Sequence, residues 1–175
     1  MALTKIRTGG ITADAVDNTI LKLDDDFALT GTVSGAGKIL QIQYGNHTAL
    51  TTYSNSFVDV ITITITPSVA TSLILIRGTI VTHHIQVGQH TAKLVKSGGA
   101  SGSDALNYEA GDFYHPSGTG VSGNISIQYV DDHNTTNQIT YKIQIKAQTG
   151  SGVTNKDYDG TQNGVSSLVA MEIAT

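Results

Sequence analysis

Cysteine is absent from this chain of 175 residues, which removes disulfide frameworks, thiolate zinc centres and cysteine nucleophiles together. Charge is scarce as well. Asp, Glu, Lys and Arg make up 14% of the residues, and ten basic side chains stand against fourteen acidic ones for a net charge of -4. The basic residues are scattered, so the clustered positive surface that neutralises nucleic-acid phosphates is missing. The surface must then be built largely from Thr, Ser, Asn, Gln and Gly, a composition that favours neutral partners. No apolar run approaches the roughly 20 residues of a bilayer-spanning helix, and Met1 to Arg7 is not followed by the apolar core of a secretory signal. Without such a signal, the sequons at Asn46, Asn124 and Asn134 read as ordinary polar positions.

What is present is a repeated β pattern. Ile61, Ile63 and Ile65 alternate with Thr62, Thr64 and Thr66, the period of a half-buried strand, and Leu73 to Ile76 form a continuous apolar run suited to deeper burial. Pro67 cannot donate to a ladder and Ser68 favours turns, so the chain leaves the sheet between these two elements. The same alternation recurs at Leu40, Ile42 and Tyr44, at Ile125, Ile127 and Tyr129, at Ile139, Tyr141, Ile143 and Ile145, and at Val169, Met171 and Ile173. In each case the apolar set is expected to face the core. Roughly seven or eight strands separated by Gly, Ser, Asn and Asp clusters predict an all-β domain, a jelly-roll-like antiparallel β-sandwich, over residues 37–175. A chain of this length can bury about 70% of its unfolded surface in one such domain.

Residues 1–36 read differently. Thr12 can cap a short helix in which Val16, Ile20 and Leu23 fall on one narrow apolar stripe, with Asp14 near its positive end. Asp24, Asp25 and Asp26 break the pattern, and Gly31, Gly35 and Gly37 mark a linker. A helix this short needs a packing partner. The segment is therefore expected to be an arm and linker joined to the sandwich, the competing reading being a helix folded back onto it.

Successive blocks of the chain, GGITADAVDNTILKL, GKILQIQ, SFVDVITITITPSVATSLILI, ISIQYVDDHNTTNQITYKIQI and GVSSLVAMEIA, resemble in order a family of bacteriophage structural proteins found in cyanophages and other phages of aquatic bacteria. Members of that family are described as tail-fibre or virion structural proteins. The resemblance implies a virion location and a homotrimer, with the arm, through Ile11, Val16, Ile20 and Leu23, serving attachment to other virion proteins and oligomerisation. It supplies no catalytic motif; a tail-fibre head is expected to bind a bacterial surface glycan, with no cofactor and no membrane insertion. The alternative within the same class is a capsid decoration protein that stabilises the phage head. Between His83 and Gly123 no block matches, and that stretch is expected to form exposed recognition loops. Tyr108, Phe113, Tyr114 and His115 are the candidate receptor-binding residues there, since aromatic faces stack on sugar rings while polar neighbours bond hydroxyls. A core or subunit interface is the competing reading of these aromatics.

Fragments that imitate enzymes fail on context. Gly118 to Gly123 matches G-x-G-x-x-G, but the pattern is followed by a strand where a dinucleotide site needs a helix. Near Gly37-Lys38, Thr32 stands where a phosphate loop requires Gly, and Ile39 where it requires Ser or Thr. His83, His84 and His90 lack ligand spacing if the strand runs straight through them, and are expected to be surface histidines, with a meeting on a trimer axis left open. Asp131 to Asn134 and Asp157 to Gly160 do not complete a calcium loop and read as hairpin turns. No G-x-S-x-G elbow or paired-carboxylate spacing can be assigned, so the sequence predicts no enzyme, no metal and no cofactor.

Overall fold

The computed structural model describes residues 37–84, 88–99, 107–115, 120–156, 161 and 164–175. These residues form ten strands: β1 (Ile39–His47), β2 (Thr52–Tyr53), β3 (Val58–Ile65), β4 (Leu73–His84), β5 (Gly88–Gly98), β6 (Asn107–His115), β7 (Val121–Asp132), β8 (Ile139–Ala147), β9 (Gly152–Thr154) and β10 (Ser166–Ile173). Every ladder is antiparallel. One sheet runs β1-β10-β4-β7, with β9 replacing β10 along the last residues of β4 and carrying β2 beside it. The other runs β3-β8-β5-β6. Between consecutive long strands the chain changes sheet at every connection except β5 to β6. That winding, two Greek keys folded into a sandwich, is a jelly roll.

The alternating segments explain the core. Ile61, Ile63 and Ile65 of β3 are buried while Thr62 and Thr64 between them are exposed. Ile139, Tyr141, Ile143 and Ile145 of β8 face them from the same sheet, and Ile74, Ile76, Ile80, Ile125, Ile127 and Leu168 close the core from the other. Pro67 lies in the connection between β3 and β4, where the sequence places the break. Gly78 is set by packing: a Cβ there would lie 2.5 Å from Ile143 Cδ1, so the opposite sheet occupies the space a side chain would take.

Three expectations are corrected. In β1 and β10 the apolar set faces outward: Ile42 and Tyr44 are exposed, Val169, Met171 and Ile173 are half-buried, and the inward row of β10 is Leu168, Ala170 and Glu172. The stretch from His83 to Gly123 is largely strand, with β5 buried between β8 and β6. Its period was masked because two of its inward positions are His90 and Lys96 rather than apolar residues. Finally, His83, His84 and His90 are all buried, and β4 and β5 lie in opposite sheets, with the His84 and His90 rings 3.6 Å apart between centroids. The straight-strand separation therefore does not apply. Residues 1–36, with Ile11, Val16, Ile20 and Leu23, and the 157–160 turn lie outside the described residues.

Candidate functional site: the outer face of the β1-β10-β4-β7 sheet

Antiparallel register puts paired residues on one face, so the outer surface of this sheet can be read in rows across the strands. The first row holds Ile39, Ile173, Leu73 and Asp132, the second Ile42, Met171, Leu75 and Val130. Apolar side chains fill all but one of these places. Ile42 and Val130 are each 52% exposed. The third row is Tyr44, Val169, Arg77 and Gln128, with Tyr44 73% exposed, and the next is Asn46, Ser167, Thr79 and Ser126. The face thus changes along β4 from apolar at Leu73 to polar at Thr79. Gly37, the first described residue, is held at the apolar end, its amide donating to the Ala174 carbonyl at 2.8 Å.

Among the described residues, strand β1 is the edge of this sheet, with a ladder to β10 only. Over Ile39–His47 it carries no Lys, Arg, Asp, Glu or Pro. Edge strands are usually guarded by such residues because their unpaired backbone groups invite another strand. A bulge between Ile39 and Gln41 is the main irregularity on it.

Behind the apolar end stands a polar clip. Glu172 is buried on the inward side of β10 and accepts from Gln41 Nε2 at 2.6 Å, Ser72 Oγ at 2.7 Å, the Ser68 amide at 2.9 Å and the Val69 amide at 3.1 Å. Burial opposes ionisation and is the largest single influence on this carboxyl. The bonds from Gln41, Ser72 and the two amides together outweigh it and hold its pKa down at about 2. Ser72 Oγ also lies 3.2 Å from His133 Nε2, which extends the clip to the segment after β7. The Glu172 clip thus explains why an inward position of β10 is acidic: it ties the β3–β4 connection to the edge strand β1 and, through Ser72, to the segment after β7.

A buried charge pair joins the sheets. Lys96 Nζ of β5 lies 2.9 Å from Asp131 Oδ2 of β7, and the Tyr141 hydroxyl donates to the same carboxylate. Burial first, and then the bond to Asp131, push the Tyr141 pKa upward. Asp131 is thus a strand residue in an ion pair, where the sequence suggested a turn.

The sequence-chosen receptor residues fall on one strand. Tyr108, Phe113, Tyr114 and His115 belong to β6, the edge of the second sheet, paired with Leu94, His90, Gln89 and Gly88 of β5. Tyr114 is 66% exposed; the other three side chains lie outside the described residues. Among the described residues no group of three or more His, Asp or Glu side chains is close enough to hold a metal ion.

No family model and no curated protein matches the sequence. Among solved structures, the infectious bursal disease virus VP2 subviral particle is similar at 15% identity with a TM-score of 0.45, over 86% of this chain and 42% of that one. The T=1 particles derived from the same virus are similar at 12% identity with a TM-score of 0.46, over 86% of this chain and 41% of that one. The chain therefore spans about two fifths of those proteins. Likenesses this distant carry no functional argument.

Sequence reasoning missed the outer face because it assumed that every apolar alternation points inward. One signal was available. Val169, Met171 and Ile173 alternate with Leu168 and Ala170, so β10 is apolar on both faces, the mark of a strand covered on both sides.

Proposed function

We propose that this chain is a structural subunit of a phage virion, a tail-fibre head whose copies pack against one another and whose N-terminal arm joins it to the particle. The observation that carries the packing is the apolar end of the outer sheet face beside the unguarded edge strand β1. A solvated sheet face alternates with polar residues, and contiguous exposed apolar surface of this kind marks a protein contact. The partner is a neighbouring copy, in the homotrimer that the sequence resemblance implies. The phage assignment rests on the ordered sequence blocks; a jelly roll alone serves capsids, lectins and other functions equally.

Deleting Met1 to Gly35 tests the attachment. The truncated chain should fold and remain absent from particles, and its normal incorporation overturns the reading. A capsid decoration protein is the second form of the same proposal. Removing the protein distinguishes them: loss of host adsorption supports the fibre, whereas normal adsorption with capsids weakened to heat or osmotic shock supports decoration.

A further inference from the structure

The polar half of the outer face contains an open depression of about 420 Å³. Small side chains at Thr79, Ser126 and Ser167 make it concave, Val169 and Met171 form an apolar wall, and Arg77 and Gln128 stand at its side. Arg77 is exposed, and among the described residues it has no hydrogen bond or ion pair, although acidic residues outnumber basic ones in the chain. Asp132, the carboxylate on this face, belongs to the row at Leu73, at the other end of the apolar patch. The side chains of Thr79, Ser126, Gln128 and Ser167 likewise make no hydrogen bond among the described residues. Tyr44 lies in the same row as Arg77, two strands away, roughly 10 Å at ordinary strand spacing.

We infer that this groove binds an anionic saccharide. Its acidic group would pair with the Arg77 guanidinium, whose planar fork matches a carboxylate with two parallel N–H donors. Its hydroxyls would meet the hydroxyls of Thr79, Ser126 and Ser167 and the Gln128 amide, while the ring lies against Val169 and Met171, with Tyr44 as an outlying stacking face. Composition points to neutral partners, but Arg77, unpaired among the described residues in a concave, hydroxyl-lined site, selects for charge locally. The groove would take the same ligand on a fibre tip or on a capsid surface, so it does not depend on where in a particle the chain sits.

Calorimetric titration of the full chain with oligogalacturonate, dextran sulfate and neutral dextran tests this. Oligogalacturonate should bind, Arg77→Gln should weaken it about tenfold or more with an unchanged melting temperature, and Gln128→Ala should weaken it by less. Stronger binding of dextran sulfate than of oligogalacturonate, lost in Arg77→Gln, assigns the acidic group as a sulfate and still supports the site. Failure of both anionic probes to bind, equal binding of neutral dextran, or full affinity in Arg77→Gln overturns it.

Discussion

The two sheets of this sandwich have opposite outer faces. On the β3-β8-β5-β6 sheet the outward row of β3 and β8 is Asp59, Thr62 and Thr64 against Gln144, Lys142 and Thr140. Lys142 pairs with Asp59 at 2.7 Å, and the amine groups of Lys93 and Lys146 lie 4.0 and 4.6 Å from the centre of the Phe57 ring. The bonds from Lys142 and Gln144 hold the Asp59 carboxyl below its usual pKa. A half-buried aromatic is covered by cations and a carboxylate is paired, as suits a face left in water. On the other sheet, Ile42, Leu75 and Val130 have no such cover among the described residues. The same alternation rule builds both sheets, and the outward residues alone separate a solvated face from the proposed contact face.

The largest effect should come where neither face is involved. Asp131→Ala leaves the Lys96 ammonium buried without its partner and should cost about 3 to 5 kcal/mol in denaturant unfolding. Core truncation should be close behind: Ile63→Ala about 2 to 5 kcal/mol, against under about 0.5 kcal/mol for exposed Thr64→Ala. Similar losses at Ile63 and Thr64 would break the inside–outside assignment on which the comparison depends.

Acid unfolding sharpens the comparison at the Glu172 clip. The carboxyl is depressed from 4.5 to about 2, so its contribution is fully present above pH 4.5 and is lost as pH falls towards 2. Glu172→Gln should flatten the dependence of stability on pH across that window. An unchanged slope would show that the clip does not favour the ionised form. The smallest effect belongs to the solvated face: Lys142→Ala should cost about 0.2 to 1 kcal/mol, because the ion pair it removes is exposed.

Most of the fold was legible where one physical demand acted on a strand. β3 and β8 answer only to the core, and their Ile/Thr and Ile/Lys alternation reads directly as inside and outside. β5 was illegible because His90 and Lys96 sit inward, partnered by groups on distant strands that periodicity cannot show. β1 and β10 misled for a different reason. Their outward positions carry the apolar residues of the proposed contact surface, and Glu172 carries charge inward because Gln41, Ser68, Val69 and Ser72 bond it. The groove at Arg77 was hidden too, since its residues come from β4, β7 and β10 and share no sequence motif.

The packing of copies through the apolar face is tested most directly by the mass in solution of full-length Ile42→Asp/Val130→Asp, measured by light scattering beside the wild type. Both side chains are about half exposed on strands β1 and β7, so the double variant should melt within a few degrees of the wild type. The expected result is a trimeric wild type and a monomeric variant, because two carboxylates on an apolar contact must be desolvated for it to form. A monomeric wild type, or a variant that stays trimeric, contradicts the assignment of this face.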